Sequence, residues 1–485
     1  MKDKNDASIT KKELLVQIIR KFMQESLKNE INRIPFEIRP KHNAHSRCCV
    51  YKDRAVLKYR IMAMLGISVE NESDESKQLS EYLDDAVKRD SIEENILTVL
   101  DIACSSCATS RYLITNACQG CFARPCIFIC PNKAITLTNG KADIDYSKCI
   151  NCGACTKVCP YHAIIRLPIP CEEACPVDAI KRDEKTNVQH IDFDKCIYCG
   201  KCIHACPFSA ILEKSQLIDT LKLIKEGKKV VAMIAPSIVG QFPFSPEKIA
   251  GGILELGFYK VEEVAFGADL TTENETKEFI ERMEKGEKLM TSSCCPAYVE
   301  IVKKHVPDLL KAVSSTPSPM KFIAKTIKAE NPELVTVFIG PCVAKKIEAI
   351  EDKNTDYVLT FEELDAMFTA MGIELENVKE IAFTRKVKGS GRGYATSCGV
   401  SSAILKEMKE NSAQEMKHNF PKIDSKFVNG IDKRTVKLLQ LYSDGKLPCN
   451  FLEIMACEGG CVGGPCVIEK VKTAIEIVKK EAERD

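Results

Sequence analysis

The chain has 485 residues, of which 45% are apolar and 28% are charged, and its formal net charge is +1. This length predicts about three domains, and the even charge balance gives no indication of a nucleic-acid-binding surface or of a surface for acidic substrates. No apolar run reaches the roughly 18 residues that a membrane span needs, and the polar first residues match neither a secretory nor a twin-arginine signal. We therefore expect a cytoplasmic protein without a membrane span.

The first segment, residues 1–103, is predicted to be a helical N-terminal region. Apolar residues recur at helical spacing over residues 13–27 and again over residues 54–66, where Gly66 is expected to end the helix. A further helix is predicted over residues 91–104, directly before the first clustered cysteines.

The 26 cysteines are the most informative part of the composition. In a cytosolic chain of this length, metal binding is a better interpretation of so many cysteines than disulfide bonds. Sixteen of them lie between Cys104 and Cys206, mostly at short and regular spacings. Cys48 and Cys49 lie apart in a polar loop, and we interpret them as ordinary thiols or as an unrecognised pair of ligands.

Residues 104–215 repeat one small unit. Four times the chain runs Cys-x-x-x-Cys-Pro and continues to an Ala-Ile pair, at residues 126–135, 155–164, 171–180 and 202–211. An internal repeat of this kind indicates one supersecondary unit used several times, and we expect a ferredoxin-like α+β region.

Two complete C-x2-C-x2-C-x3-C-P runs occupy residues 149–160 and 196–207, and a looser C-x2-C-x4-C-x3-C-P variant occupies residues 118–131. Thiolates are soft ligands that suit iron–sulfur clusters, and in two-cluster ferredoxins the fourth cysteine of such a run binds the other cluster. The spacing is highly specific for [4Fe–4S] clusters, and the alternatives are buried thiols or a zinc site.

The crossing rule assigns these cysteines to three clusters: Cys118, Cys121, Cys126 and Cys159; Cys149, Cys152, Cys155 and Cys130; and Cys196, Cys199, Cys202 and Cys175. Cys171 and Cys206 remain, and with the upstream Cys104 and Cys107 they complete a fourth set. The alternative is that Cys104 and Cys107 are free thiols and that the fourth site is empty. Three to four clusters in series indicate an electron-transfer path, which needs a terminus where chemistry occurs.

Residues 216–485 change in character. Strand patterns that end in Gly, Ser or Pro turns occupy residues 228–237, 260–269, 287–293 and 334–342, with helical patterns over residues 274–286 and 297–313. Strands that alternate with helices predict a parallel α/β sheet, in which ligands gather at the carboxyl ends of the strands. The segments TSSCC and GPC both follow predicted strands, so both are expected at one crevice.

Three segments of this region form a set: TSSCCPA (residues 291–297), GPCVAKK (residues 340–346) and EIMACEGGCVGGPC (residues 453–466). In this order they resemble the three signature motifs of the iron-only, or [FeFe], hydrogenases, roughly TSCCPxW, MPCxxKxxE and ExMACxGGCxxGGGQP. The resemblance covers residues 216–485, and the multi-cluster region resembles that family's electron-transfer domains. It implies an α/β H-cluster domain of two parallel-sheet lobes, preceded by the ferredoxin-like domain and the helical region.

The resemblance also implies the cofactor and its ligands. The H-cluster is a [4Fe–4S] cubane joined through one thiolate to a two-iron subsite that carries carbonyl and cyanide ligands and a bridging dithiolate. Carried over by motif, the cubane ligands are Cys295, Cys342, Cys457 and Cys461. Of these, Cys461 would bridge to the iron pair.

In the family a proton relay leads from the cofactor to solvent. Its implied members here are Cys294, Glu275, Ser314 and Glu278. Glu275 and Glu278 are three apart on a predicted helix and hence share a face. The alternative is that the two acids are simply solvated.

Four further residues match the surroundings of the two-iron subsite. Lys345 matches the lysine that pairs with a cyanide ligand, and Pro236 and Ser237 match a loop near the second cyanide. Met455 matches a methionine packed beside the iron pair, although a methionine is often only core filler.

The chain departs from the family pattern at positions near the cofactor rather than at its ligands. Gly340 stands where the family has the Met of MPC, Tyr298 follows the CCPx segment, and Met320 replaces a glutamine after the Ser-Pro dipeptide. Cys466 ends the motif where the family has GGGQP. No role is predicted for Cys466, Cys398 or Cys449.

The resemblance implies reversible interconversion of 2 H⁺ and 2 e⁻ with H2, and electron exchange with ferredoxin or a similar redox protein. It also implies dedicated maturation proteins and an anaerobic cytoplasm, because such clusters react with oxygen. The alternatives are a hydrogenase-like iron–sulfur scaffold or assembly protein and a hydrogen sensor; Cys294, Lys345 and the Glu/Ser relay favour catalysis. No nucleotide or flavin fingerprint occurs, so electron bifurcation would need partner subunits.

Overall fold

The structure is a computed structural model that describes residues 5–41, 47–70, 72–89, 95–104, 107, 112–183, 188–415 and 421–483. No helix within these ranges combines the length and the apolar character that a membrane crossing requires.

The N-terminal part contains helices α1 (Asp6–Met23), α2 (Leu27–Glu30), α3 (Ile34–Ile38), α4 (Val50–Met64), α5 (Leu79–Lys88) and α6 (Asp101–Cys104), a 3₁₀ turn (Ile31–Arg33) and strand β1 (Leu97–Val99). The two predicted helices are confirmed as α1 and α4, although α1 already ends at Met23. Gly66 adopts φ +78°, a left-handed conformation that closes the turn after α4.

The predicted helix over residues 91–104 is wrong for its middle part. Leu97–Val99 is a fully buried strand that pairs antiparallel with Ile211–Glu213, and only Asp101–Cys104 is helical. Residues 91–94 lie outside the described residues. A short apolar run is compatible with a buried strand as well as with a helix. Residues 97–99 form a strand here because they pair with a strand that is distant in sequence.

The cysteine-rich part contains β2 (Tyr112–Ile114), α7 (Pro125–Ile129), β3 (Ile135–Thr138), β4 (Lys141–Ile144), α8 (Ala154–Val158), β5 (Ile164–Arg166), α9 (Pro170–Ala174), β6 (Ile180–Arg182), β7 (Gln189–Ile191), α10 (Lys201–Ala205) and β8 (Ile211–Glu213). We call residues 112–166 the outer module and residues 170–213 the inner module. The outer module contains the antiparallel pairs β2–β5 and β3–β4. The inner module contains β6–β7, and its β8 pairs with β1. In each repeat a one-turn helix carries the cysteines and a short strand follows, as an α+β unit requires.

The remaining chain contains α11 (Leu217–Lys225), β9 (Val230–Ile234), α12 (Pro246–Glu255), β10 (Lys260–Glu263), α13 (Val264–Glu284), β11 (Met290–Thr291), α14 (Pro296–His305), α15 (Pro319–Glu330), β12 (Val335–Gly340), α16 (Ala344–Asp352), β13 (Tyr357–Thr360), α17 (Phe361–Met371), α18 (Gly389–Gly393), α19 (Gly399–Glu415), β14 (Ser425–Asn429), α20 (Thr435–Ser443), β15 (Phe451–Met455) and α21 (Val471–Ala482). Four 3₁₀ turns join them, at Pro236–Gly240, Pro307–Ala312, Leu375–Asn377 and Cys461–Gly463.

Two parallel sheets organise this region, as the alternating pattern predicts. One has the strand order β10-β9-β12-β13 and the other β11-β15-β14. Every residue of the central strands β9 and β15 is buried, because helices cover both faces of a parallel sheet. Two predicted strands are shorter than expected: Lys260–Glu263 runs directly into α13, and only Met290–Thr291 pairs within residues 287–293.

The N-terminal helix α1 is docked onto α17 of this last region. Lys11 of α1 lies between two carboxylates and its side chain is 17% exposed, with its Nζ 2.8 Å from Glu213 Oε1 and 2.7 Å from Glu362 Oε2. The thiol of Cys466 lies within 4.8 Å of both carboxylates and is fully buried. The ammonium of Lys11 supplies the positive charge that this group of acids requires, and it joins three separate parts of the chain.

Candidate active site and cluster chain

The carboxyl ends of strands from both sheets meet at one cavity with about 860 Å³ of space free of protein atoms. Residues that follow β9, β11, β12 and β15 line it, among them Pro236, Cys295, Cys342 and Cys457. The structure therefore brings together the three sequence motifs, and the expectation that TSSCC and GPC point into one crevice is confirmed.

Four cysteines line this cavity in the positions that the motifs predict for the cubane: Cys295, Cys342, Cys457 and Cys461. Burial, followed by the charges of Cys295 and Cys461, raises the pKa of Cys342 to about 12. Thiols this close together in an apolar surrounding do not ionise unless a cation compensates their charge. A set of four soft sulfur donors around one cavity fits an iron–sulfur cubane.

The loop beside these cysteines depends on glycine. Gly460 adopts φ +95°, and an added Cβ there would lie 2.6 Å from the Ala395 carbonyl oxygen. Gly464 is equally restricted, since its Cβ would lie 2.7 Å from the Pro341 carbonyl oxygen. Glycine is therefore required for the tight loop that carries Cys461 into the cavity.

Cys294 lines the same cavity but differs from its neighbour Cys295 in what surrounds it. Burial, and then the charge of Glu275, raise the pKa of the Cys294 thiol well above its usual value. By contrast, Cys295 begins helix α14, and backbone N–H groups of Ala456, Tyr298 and Ala297 oppose the rise in its pKa. Cys294 is therefore held as a neutral thiol, which can donate a proton, whereas Cys295 is better suited to carry negative charge.

Glu275 is fully buried on α13, next to Cys294. Its Oε1 accepts the Ser293 N–H at 3.3 Å, and its Oε2 has no hydrogen-bond partner among the described residues. Burial raises the pKa of Glu275 from its usual 4.5 to about 8. The side chain is thus predominantly protonated at neutral pH and can both give and accept a proton.

Ser314 lies between the two predicted acids. It interacts with the carboxyl group of Glu275, and its hydroxyl donates to Glu278 Oε2 at 2.7 Å. Burial acts to raise the pKa of Glu278, but hydrogen bonds from Ser315, Ser314 and Thr316 outweigh it, so that the pKa lies below its usual value. One turn of helix therefore separates a neutral acid from a charged one.

Glu278 also marks the end of this series toward the surface. Its side chain is 14% exposed, and it forms an ion pair with Arg282 at 2.6 Å. Arg282 was absent from the sequence predictions. The sequence does indicate this ion pair, because an Arg four residues after a Glu lies on the same face of a helix.

Lys345 is buried at the cavity, where its Nζ lies 3.2 Å from Ser318 Oγ and 3.3 Å from the Cys294 carbonyl oxygen. An ion pair of 2.5 Å with Glu348 compensates its charge. Glu348 was not named among the predicted site residues, although it matches the Glu of the family motif MPCxxKxxE. These partners fix the ammonium group at the cavity wall.

Pro236, Ser237 and Met455 line the cavity, as the resemblance implies. The Ser237 hydroxyl is fully buried and has no hydrogen-bond partner among the described residues. A buried hydroxyl without a partner is costly. Its position at the cavity therefore fits a bound group that accepts or donates a hydrogen bond there.

The departures from the family pattern have different structural consequences. Met320 is fully buried and lines the cavity. At Gly340 a Cβ would lie 2.4 Å from Cε1 of Phe338, whose ring lines the cavity, so the phenylalanine occupies the space that a longer side chain at 340 would need. Tyr298 is fully buried, with its hydroxyl 2.7 Å from Thr291 Oγ1, and Cys466 lies beside Lys11.

Two polar residues near the cavity were not predicted from the sequence. Tyr394 lines the cavity, and its hydroxyl lies 3.2 Å from Thr272 Oγ1. Glu453 is buried on β15 and accepts hydrogen bonds from the backbone and the hydroxyl of Ser401 at 2.8 and 2.6 Å. Tyr394 belongs to none of the three sequence motifs, so the sequence did not indicate that it lies at the cavity.

The structure also brings the predicted accessory ligands of the outer module together. Burial, and then the charges of Cys121 and Cys159, raise the pKa of Cys126. The thiol of Cys155 is affected in the same way by burial and then by its neighbours Cys149, Cys152 and Cys130. Each group therefore combines cysteines from two runs, as the crossing rule predicts. Cys118 follows β2 in the same module.

The inner module shows the same crossing. Around Cys202 lie Cys199, Cys196 and Cys175, which together form the predicted third set. Burial, and then the charges of Cys206, Cys104 and Cys107, raise the pKa of Cys171 to about 12. The four thiols of the predicted fourth set are thus close neighbours.

Cys199 of the inner module also lines the large cavity, and its charge reaches Cys457. The third predicted cluster site is therefore directly adjacent to the predicted cubane site. The fourth predicted set lies beside the third, since the charge of Cys171 reaches Cys202.

The five cysteines whose roles were left open, Cys48, Cys49, Cys398, Cys449 and Cys466, lie outside the residues that line the cavity. The thiols of Cys48 and Cys49 lie 3.8 Å apart at the start of α4. Cys398 adopts φ +69° in the turn before α19.

Comparisons with known proteins agree with this arrangement. The family profile "Iron only hydrogenase large subunit, C-terminal domain" matches residues 228–465, and the profile "4Fe-4S binding domain" matches residues 142–165 and 190–212. The periplasmic [Fe] hydrogenase large subunit of Nitratidesulfovibrio vulgaris is 31% identical over 388 residues, which cover 69% of this chain and 88% of that protein.

More distant relatives differ in their names. Iron hydrogenase 1 of Clostridium pasteurianum is 28% identical, and the match covers 53% of each chain. A probable cytosolic Fe-S cluster assembly factor of Nematostella vectensis is 24% identical over 49% of this chain and 68% of that protein. A solved structure of a variant of [FeFe]-hydrogenase HydA1 from Chlamydomonas reinhardtii is 24% identical, with a TM-score of 0.45, and covers 56% of this chain and 89% of that chain. By the shared motifs and by the extent of its match to the N. vulgaris subunit, this chain belongs to the iron-only hydrogenase family.

Proposed function

We propose that the protein is an [FeFe]-hydrogenase that interconverts protons and electrons with H2 in the large cavity. The observation that carries the proposal is the position of Cys294, a neutral thiol in the cavity wall beside the cubane cysteines and next to the buried acid Glu275. A scaffold for an ordinary cluster needs the cubane cysteines, but it has no use for a buried acid and a thiol in series.

When bound, the H-cluster would supply the electrons and the centre at which H2 is formed or split. Cys295, Cys342, Cys457 and Cys461 would hold it, and Lys345 would present its ammonium group to the anionic ligands. The unpartnered hydroxyl of Ser237 would donate a hydrogen bond to the same group.

The residues of the chain would move the protons. Glu278, which reaches the surface, would exchange a proton with solvent and pass it through the hydroxyl of Ser314 to Glu275. Glu275 would then protonate Cys294, which delivers the proton to the cavity. A carboxyl group with a pKa of about 8 is suited to this step, because it gains and loses a proton near neutral pH.

Electrons would travel along the cysteine groups of the outer and inner modules to Cys199 and the cubane. We propose that a ferredoxin or similar redox protein supplies or accepts them, that maturation proteins build the two-iron subsite, and that the protein works in an anaerobic cytoplasm. The division into residues 1–103, 104–215 and 216–485 is likewise part of this proposal.

Infrared spectroscopy tests the proposal on protein that is matured and kept without oxygen. We expect carbonyl and cyanide stretching bands together with H2 turnover. A hydrogenase matured with the same maturation proteins serves as the control. Absence of the bands here, when the control shows them, would contradict the assignment.

The second candidate is an iron–sulfur scaffold or assembly protein, because relatives named as Fe-S cluster assembly factors match about half of the chain. That function predicts bound [4Fe–4S] clusters without carbonyl or cyanide bands and without H2 turnover. A hydrogen sensor would show the bands with very slow turnover, so the same measurements separate all three.

A further inference from the structure

The outer module exposes large apolar side chains at its surface. Phe122 is 97% exposed and Phe128 is 82% exposed, and Tyr146, Ile150 and Tyr161 are each more than half exposed. Of the 17 large apolar side chains that are exposed among the described residues, nine lie in this small module, and such a concentration indicates a binding site.

These side chains are next to the predicted cluster ligands. Phe122 directly follows Cys121, and Phe128 lies between Cys126 and Cys130. Ile150 follows Cys149 and, together with that cysteine, lines a small cavity among the ligands of the second predicted cluster. A protein that contacts this apolar surface therefore approaches the outermost clusters.

The same module is basic. Residues 112–166 contain six basic and two acidic residues, a net charge of +4, whereas the whole chain has +1. Lys148 is paired with Asp145, and Arg166 with Glu173. The other four basic side chains are exposed and form no ion pair with any described residue: Arg124, Lys133, Lys141 and Lys157.

The inner module offers no comparable entry point. Cys171, Cys175, Cys196 and Cys202 are buried, and Cys199 faces the large cavity. Among the predicted accessory-cluster cysteines within the described residues, only Cys152, in the outer module, is exposed. An external electron carrier therefore has its access at the outer module.

We propose that the apolar, basic surface around Phe122 and Phe128 is the docking site of a small acidic electron-transfer protein that carries its own iron–sulfur cluster. The proposal rests on the proposed function, since it names the partner that serves the cluster chain. Aromatic side chains would provide the contact area, and the four unpaired cations would attract the acidic partner and orient it. In each encounter one electron leaves the reduced partner and enters an outer cluster, so two encounters supply the two electrons of one H2.

Binding and electron transfer can both be measured on the full chain with its [4Fe–4S] clusters. The probe is a reduced, acidic plant-type [2Fe–2S] ferredoxin. Its dissociation constant is measured by titration, and the rate at which it reduces the clusters is followed by their visible absorbance in a stopped-flow instrument. Neither measurement requires the two-iron subsite.

Two independent sets of variants address the two components of the surface. We expect Phe122→Ser with Phe128→Ser, and separately Lys133→Glu with Lys157→Glu, to weaken binding at least about tenfold and to slow cluster reduction in proportion. The rate with wild-type protein should also fall as salt is added. Tyr259→Ser with Phe427→Ser, and Lys288→Glu with Lys325→Glu, are matched exposed controls in other regions and should change neither quantity.

Unchanged binding in both sets of variants would overturn the proposal, and so would equal losses in the controls. A wild-type dimer that the two phenylalanine substitutions dissociate would also overturn it, because a second copy would then cover the surface. Iron content and visible spectrum verify that each variant retains its clusters. Viologen-driven H2 production tests the proposed function separately: loss of docking with retained viologen activity contradicts only the docking site, and absent H2 production with intact docking contradicts only the catalytic proposal.

Discussion

Where the large cavity borders the inner module, sulfur atoms of Cys199 and Cys457 lie near each other without a hydrogen-bonded connection. Where it borders α13, Glu275 lies beside Cys294, Ser314 interacts with the carboxyl group of Glu275, and a hydrogen bond joins Ser314 to Glu278 near the surface. The difference reflects what each side carries. Electrons pass between clusters through space that needs no hydrogen bond, whereas a proton moves only between groups that can donate and accept one. Changes on the two sides should therefore have separable effects.

The largest effect is expected on the proton side, for Cys294→Ala. Removing a group that transfers protons in the reaction typically costs 10²- to 10⁴-fold, so H2 turnover should fall by at least about 100-fold. Exchange between D2 and solvent protons should fall as well, while the reductive titration of the accessory clusters stays unchanged. Cys398→Ala, which changes a cysteine outside the cavity, is the control. Turnover near the wild-type rate in Cys294→Ala would remove this residue from the relay.

Glu275→Gln should lower turnover by about 100-fold, because glutamine keeps the shape but cannot transfer the proton. The pKa of about 8 gives a second signature. The wild-type infrared spectrum should contain a carboxylic-acid band at pH 7 that disappears with a midpoint near pH 8 and is missing in the variant. Glu278→Gln is the comparison, since Glu278 should already be charged at pH 7.

The same group makes stability depend on pH. The folded-state pKa of Glu275 lies above the unfolded value of 4.5, so its protonated form favours the folded state. That contribution is fully present below pH 4.5 and is lost as the pH rises toward 8. In thermal unfolding of the cluster-loaded protein, Glu275→Gln should therefore lose less stability than wild type between pH 6 and pH 9. Equal slopes would mean that Glu275 is ionised in the folded protein.

On the electron side, Cys199→Ser should remove or weaken the cluster closest to the cavity, since even changes to outer-shell groups cost about tenfold or more at metal sites. Iron content should fall, and turnover driven by a protein electron donor should drop at least about tenfold. Exchange between D2 and solvent protons needs no external electrons and should be retained. Loss of that exchange would mean that the two sides are not separable in this way.

The smallest effect is expected for Tyr298→Phe, because Tyr298 belongs neither to the proton relay nor to the cluster chain. The variant removes one buried hydrogen bond, between the Tyr298 hydroxyl and Thr291, and should lower the free energy of unfolding by about 1 kcal/mol. H2 turnover should remain within twofold. A large loss of activity would show that the aromatic residue after the CCPx segment contributes to one of the two sides.

The accessory-cluster ligands could be predicted because ligand chemistry is encoded in short spacings, whereas the ligands and the relay at the cavity follow from the family resemblance. The crossing rule and the count of cysteines anticipated even that Cys104 and Cys107 lie beside Cys171 and Cys206. Helix–strand alternation likewise predicted a parallel α/β sheet with strand ends at one crevice, and the resemblance implied two such sheets. These features depend on local sequence, which is why one chain suffices to infer them.

The features that escaped prediction depend on partners far away in sequence. Leu97–Val99 became a strand because Ile211–Glu213 pairs with it, and nothing near residue 97 signals that partner. The ring of Phe338 occupies the space that a longer side chain at Gly340 would need. This replacement can be recognised only in the three-dimensional structure. Cys466 changes a motif that lies beside the cavity, yet its thiol is directed to an ion pair of the N-terminal helix.

That ion pair has a consequence for biosynthesis. Lys11 and its partner Glu362 are 351 positions apart, so at typical rates of translation the first helix waits roughly 20 to 70 s before the segment it docks against has been made. During this time α1, whose side chains Leu14, Leu15 and Ile18 are buried in the folded protein, lacks its packing partner α17. All the cysteines up to Cys206 emerge from the ribosome before docking can occur. Iron–sulfur loading of the electron-transfer modules can thus begin before α1 is fixed in place.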